Sequence, residues 1–199
     1  MSLEMINTLG TLLTTAIVGA TAIAALVQLR HLRTGNQIHA QLSVGDRLRS
    51  PAVRDAMTTV GQYFENALDD PTFREYVASY QRGAPVNDVN HRYVDLHEAA
   101  RVVGNTYEEL GVLVKNGIVD ERLLMDRLRF LILRDWGHLK NGLAFIRAVV
   151  GTNAIWENFE YLAVLSEDYA RQFPTAYPKS FRRFPLVNPW PVPPLPANA

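Results

Sequence analysis

Cysteine is absent from the 199-residue chain. This excludes a thiolate nucleophile and agrees with a reducing compartment such as the cytoplasm. An excess of charge is absent as well, since 20 lysines and arginines balance 20 aspartates and glutamates. Nucleic-acid binding usually requires a basic field, so nucleic acid is not an expected partner.

The short motifs of common enzyme classes are also missing. There is no Gly-x-Ser-x-Gly elbow, no P-loop and no dinucleotide-binding fingerprint. Di-metal carboxylate bundles use Glu-x-x-His pairs, whereas this chain has only two shorter Asp-x-x-His pairs, Asp88/His91 and Asp135/His138. Such pairs arise easily by accident. We therefore expect no catalytic residue, no metal and no other cofactor, which argues against an enzyme.

Charged side chains are absent from Met5 to Leu29, a run of twenty-five residues. At ~1.5 Å per residue a helix of this length measures about 37 Å, enough to cross a hydrocarbon core of roughly 30 Å. A signal peptide is disfavoured because there is no basic n-region and the run is too long. A buried core helix is the other alternative. We predict that residues 1–29 form a single transmembrane anchor in the lipid bilayer.

The flanks of this anchor predict its orientation. Arg30 and Arg33 follow the span directly, and Arg47 and Arg49 lie further on, whereas the N-terminal side has no lysine or arginine. The positive-inside rule therefore places the N-terminus outside and the main domain in the cytoplasm, at the inner (plasma) membrane.

Small residues form a stripe within the predicted span. Ala16, Ala20 and Ala24 repeat every four residues, a small-xxx-small pattern that lets two helices approach closely. A homodimer is one interpretation, and an alanine-rich helix without a partner is the other.

Composition divides the rest of the chain into three parts. Residues 30–49 are expected to continue the anchor as a juxtamembrane helical stalk, loosened at Gly35 and Gly45, and residues 50–172 to form a helical bundle. Eight of the eleven prolines lie between Pro174 and Pro196, and proline excludes helix there. We expect a disordered tail over 173–199; a docking peptide and a Trp190 folded back onto the bundle are the alternatives.

Apolar residues recur at helical spacing throughout the predicted bundle. Helix starts are indicated by Ser50-Pro51, Asp70-Pro71 and Asp120. The helix after Asp120 is expected to bury Leu123, and separate segments are expected over about 142–150 and 153–172. No stretch alternates as a strand does, so we predict an all-α fold.

Charged residues interrupt several apolar helical faces. Glu108, Arg147 and Glu160 each lie beside large apolar or aromatic residues. A charge at the edge of a core must be paired or hydrogen-bonded. An internal Glu–Arg pair is one interpretation, and a polar pocket that includes Trp136 and holds a small ligand is the other.

Several short stretches resemble a known family. They are Asn105–Gly111, Val114–Asp120, Arg134–Trp136, Ile146-Arg147 and Trp156–Leu162, and they follow a span that ends Gln28-Leu-Arg30. Together they resemble the bacterial domain-of-unknown-function family numbered forty-seven sixty, over roughly residues 15–165. The resemblance implies a bacterial inner-membrane protein with a helical cytoplasmic domain and no assigned activity. It marks as family-like positions Tyr107, Glu108, Gly111, Trp136, Arg147, Phe159 and Glu160.

Three functions follow as hypotheses. The first is a membrane-tethered interaction or scaffold module that holds a protein partner of unknown identity. It is favoured because it requires the fewest features that are missing from the sequence. A small-ligand sensor with a pocket near Trp136 and Arg147 is the alternative, and a metal-dependent enzyme is the third.

Overall fold

Helices supply all the regular secondary structure in residues 3–85, 90–178 and 180–191, the parts that the computed structural model describes. The all-α prediction is confirmed for these residues. The helices are α1 (Leu3–Arg49), α2 (Pro51–Thr59), a π-helical segment (Val60–Phe64), α3 (Glu65–Ala67), α4 (Pro71–Gln81), α5 (His91–Lys115), α6 (Glu121–Val150) and α7 (Glu157–Gln172).

Helix α1 is long and apolar enough to span a membrane. It runs for 47 residues without a break, and the helix is continuous through Gly35 and Gly45. None of its most apolar window is buried against the rest of the protein. Leu12, Ile17 and Leu26, for example, are all more than half exposed. Since a core helix buries its apolar side chains, α1 is not the core helix of this bundle.

The last turns of α1 pack against the bundle. Gln37 Nε2 donates to the carbonyl of Gly117, 3.4 Å away, and Arg47 forms an ion pair with Glu109 of α5. Leu48 is buried in the hydrophobic core. The stalk is therefore part of the folded domain as well as an extension of the apolar helix.

Side-chain caps start two of the helices where the sequence predicted them. Asp70 accepts a hydrogen bond from the amide of Thr72 (2.8 Å) at the start of α4. Asp120 accepts one from the amide of Leu123 (2.9 Å) at the start of α6. Ser50 precedes α2 but makes no side-chain cap.

Helix α6 differs from its prediction in two ways. It continues to Val150 rather than breaking before residue 142. Gly142 does not end the helix but allows Phe64 to pack closely against it, since a Cβ at this position would lie 2.4 Å from Cε1 of Phe64. Leu123 is 58% exposed rather than buried, because its neighbours Leu124 and Met125 occupy the face of α6 that packs on the core.

Aromatic rings join α5, α6 and α7 at the centre of the bundle. Tyr107 of α5 stacks on Phe159 of α7 with ring centroids 4.6 Å apart. Trp136 of α6 meets the same Phe159 edge-on at 5.2 Å. Tyr107 and Phe159 are completely buried, so this contact forms the core of the three long helices.

Two glycines let the start of α7 approach α5 closely. A Cβ on Gly104 would lie 2.2 Å from Cζ2 of Trp156, and one on Gly111 would lie 2.3 Å from the carbonyl oxygen of Asn158. Gly111 thus faces backbone, which cannot move aside as a side-chain tip can.

Replacing Gly111 should therefore separate the two helices. Gly111→Ala is expected to lower the free energy of unfolding by about 3 kcal/mol, because the new methyl overlaps the backbone of α7. Gly137→Ala is the matched control, since no atom lies within 4 Å of its Cβ position. It should stabilise α6 by about 0.5–1 kcal/mol. Urea unfolding of the full chain in detergent, followed by circular dichroism, measures both; similar values for the two variants would contradict the close approach.

Candidate functional site

Glu108 of α5 caps the N-terminus of α7. Its Oε2 accepts hydrogen bonds from the backbone amides of Asn158 (2.9 Å) and Phe159 (3.0 Å), and its Oε1 accepts one from the side-chain amide of Asn158 (2.6 Å). The first amides of a helix have no partner within the helix, and the helix dipole favours a negative charge beside them. A carboxylate on one helix thus supplies the cap of another.

Trp156 precedes α7 in a left-handed backbone conformation, with φ +50°. Among the described residues it is the one non-glycine residue with positive φ. Its indole N–H donates to Oδ1 of Asn105, 2.9 Å away, and its ring covers Gly104. Side-chain contacts to α5 therefore hold a backbone conformation that is unfavourable for a bulky residue.

Arg147 of α6 fastens the loop before α7. Its Nη1 donates to Oε2 of Glu160 (2.6 Å), while Nε and Nη2 donate to the carbonyl of Ile155 (3.0 and 2.9 Å). The Arg147 side chain is 14% exposed and that of Glu160 is 46% exposed. All three guanidinium nitrogens are engaged, so the charge is balanced within the protein.

A buried carboxylate lies between α5 and α6. Asp135, 2% exposed, accepts hydrogen bonds from the hydroxyl of Tyr107 (2.8 Å) and from Nε of Arg134 (2.7 Å). Burial, together with the charge of Asp135, raises the pKa of Tyr107, so its phenol stays protonated as a donor. The hydrogen bond to Asp135 raises the pKa of Arg134.

Two other buried side chains have donors or acceptors without a partner in the described part of the chain. They are His97, at Nε2, and Arg129, at Nε and Nη1. Burial lowers the pKa of His97 to about 4, so the neutral ring packs against Tyr76 and Tyr80 at neutral pH. Arg129 lies over the rings of Phe130 and Tyr169, where cation–π attraction partly replaces hydrogen bonds.

Comparison with known proteins gives a family. The family described as "Domain of unknown function (DUF4760)" matches residues 15–165 of this chain. The chain belongs to this family. No curated protein and no solved structure has a significant match to this chain. The predicted family is thereby confirmed. The match includes Glu108, which caps α7, the Arg147–Glu160 pair and Asp135.

The four polar positions singled out from the sequence do not share one pocket in this DUF4760 chain. Arg147 and Glu160 lie together, Glu108 caps α7 separately, and Trp136 packs on Phe159. A cavity of about 500 Å³ lies beside Arg147, and neither Trp136 nor Glu108 lines it.

The remaining predicted features fall at the ends of the DUF4760 match or beyond it. Ala16, Ala20 and Ala24 are exposed on α1, which also carries Arg30 and Arg33. Trp190 is 75% exposed, so it does not fold back onto the bundle. The last part of the tail, 192–199, lies outside the described residues.

Within the described ranges, no three histidine or acidic side chains are grouped so that they could hold a metal ion. Asp88, of the first Asp-x-x-His pair, lies outside these ranges. Asp135, of the second, is hydrogen-bonded to Tyr107 and Arg134 instead.

Sequence reasoning missed the Tyr107–Asp135–Arg134 arrangement. Asp135 was considered only as a partner of His138, and Tyr107 only as a family-like apolar position. The available signal was an aspartate flanked by Arg134 and Trp136 in an otherwise apolar helix. A single sequence does not show that this aspartate faces the core.

Loss of the Arg147 contacts should destabilise the DUF4760 domain. Arg147→Ala is expected to lower the unfolding free energy by about 2 kcal/mol, because the Ile155 carbonyl loses its donors while the half-exposed Glu160 regains water. Arg171→Ala is the control: its pair with Asp168 is exposed and should matter by under about 0.5 kcal/mol. Urea denaturation of both variants measures the difference, and an equal effect would show that Arg147 is not structural.

Proposed function

We propose that the chain is a single-pass membrane protein whose helical bundle lies on the cytoplasmic face and acts as an interaction or scaffold module for a protein partner. The observation that carries this proposal is the double role of α1. Its apolar part is fully exposed, while its final turns pack into the bundle through Gln37, Arg47 and Leu48.

This attachment favours a fixed platform over a loosely tethered domain. A flexible linker allows a domain to move over tens of ångströms, whereas a continuous helix sets its height and direction. From Arg30 to Gln37 the helix rises only about 10 Å, so the loop at Gly117 lies close to the headgroup layer. A partner in or on the membrane would thus meet the bundle in one orientation.

Helix α6 offers a surface on which a partner could pack. Leu123 and Phe130 are 58% and 70% exposed, and residues seven apart lie on the same face of a helix. Exposed apolar side chains of this size are costly in water and are typical of protein interfaces. We infer that this face, rather than an enclosed cavity, is the working surface of the bundle.

A small-ligand sensor remains the alternative, supported by the cavity of about 500 Å³ beside Arg147. Such a ligand would have to compete for a guanidinium whose three nitrogens already have partners. The interaction module has the stronger support because its surface needs no such exchange.

The orientation can be tested with introduced cysteines, because the native chain has none. Thr152→Cys places a thiol on the exposed turn after α6, and Ser2→Cys places one before the span. A membrane-impermeant maleimide applied to intact cells should label the second variant only, and permeabilisation should expose the first. Labelling of Thr152→Cys in intact cells would contradict a cytoplasmic bundle.

The partner can be trapped at the α6 face. A benzophenone amino acid at position 130, in the full chain in native membranes, should give one discrete crosslinked species that mass spectrometry identifies. The same group at Glu167, which is exposed on α7, is the matched control and should give none.

Competition makes the crosslinking result specific. Overexpressed unmodified chain should reduce the adduct, and overexpressed Phe130→Asp chain should not, because a charge on this face opposes apolar packing. Equal adducts at positions 130 and 167, or no adduct at 130, would contradict the interaction module.

A further inference from the structure

A second cleft, separate from the Arg147 cavity, lies between α2, the π-helical segment and α6. Its volume is about 460 Å³, within the range of small-molecule sites. The charged and titratable residues that line it are Arg54, Asp55, Arg134 and His138. We propose that this cleft binds a small soluble anion that carries phosphate or carboxylate groups.

Arg134 is the best-placed ligand for such an anion. Its Nε is held by Asp135 (2.7 Å), and Asp135 is held in turn by Tyr107 (2.8 Å). The two Nη groups have no hydrogen-bond partner among the described residues, and the side chain is 54% exposed. One edge of the planar guanidinium is therefore anchored while the other is open, the arrangement that binds oxyanions with two hydrogen bonds.

The two arginines of the cleft keep guanidinium donors that no described side chain engages. Arg54 and Asp55 both line the cleft, and neither forms an ion pair with a described residue. The buried Asp135 offsets part of the Arg134 charge, and His138 adds a further donor. An anion at the centre would satisfy donors from two helices at once.

Gly61 and His138 line the cleft from opposite walls. Gly61 belongs to the π-helical segment, and a Cβ on it would lie 3.5 Å from Nε2 of His138. A side chain at this position would therefore contact the histidine and take up space in the cleft. Single π-helical turns within α-helices occur frequently at functional sites.

Distance from the bilayer favours a soluble ligand over a lipid headgroup. Leu48 lines the cleft and lies eighteen residues after Arg30, or about 27 Å further along α1. Headgroups extend only about 5–8 Å beyond the hydrocarbon core, so the cleft lies outside them.

The test uses the full chain in phosphatidylcholine nanodiscs, with inorganic pyrophosphate and citrate as probes in calorimetric titrations at constant ionic strength. Saturable one-site binding of either probe is expected. Arg134→Gln should weaken it at least about tenfold, since glutamine can still donate to Asp135 and preserve the fold. Gly61→Leu, which fills the cleft without changing its charge, should abolish it.

Arg171→Gln removes the same charge from an exposed surface of α7 and should leave the affinity unchanged. No saturable binding of either probe, or equal affinity in Arg134→Gln, would overturn the proposal. Nanodiscs containing phosphatidylglycerol should also leave the affinity unchanged. If the affinity for the probe fell more than about tenfold in these nanodiscs, a lipid headgroup would be competing for the cleft, and the proposal of a soluble ligand would be overturned. Simple repulsion between the anionic bilayer and the anionic probe would not explain such a loss, because salt screens it over this distance.

Discussion

The bundle depends on one carboxylate, that of Glu108. By accepting the amides of Asn158 and Phe159 it completes the start of α7 from a neighbouring helix. Gly111 makes the short approach possible, and the same approach brings Phe159 onto Tyr107 at the centre of the core. Since Tyr107 also orients Asp135, the cap, the core and the buried carboxylate form one connected set of contacts.

Around this set, the chain links a long apolar helix to the bundle. Arg147 fixes the loop that delivers Trp156 and α7 to the cap, and Asp135 fixes Arg134 at the edge of a cleft. The stalk of α1 is joined to α5 by the ion pair of Arg47 with Glu109. The attachment of α1, the core packing and the orientation of the open guanidinium edge of Arg134 therefore follow from contacts that support one another.

Local features were predictable from the sequence, and contacts between distant segments were not. The caps at Asp70 and Asp120 and the apolar span depend on neighbouring residues, whose pattern is visible in one sequence. Glu108 and Asn158 are separated by 50 positions, so no periodicity reveals their contact. The separate segment over 142–150 was predicted wrongly. Glycine both ends helices and allows close packing, and only the contact with Phe64, far away in sequence, shows which role Gly142 has. The charge of Arg147 was recognised, but whether it met Glu108, Glu160 or a ligand required the fold.

Backbone amide hydrogen exchange at Asn158 and Phe159 tests the central claim most directly. Amides in the first turn of a helix exchange readily when they lack a partner. If Glu108 caps α7, both amides should be protected to about the level of the buried Ala163 in the middle of the helix, and Glu108→Ala should release them first. Exchange at the rate of an unstructured peptide in the native chain would show that the cap does not form, and the connected set of contacts built on it would fail.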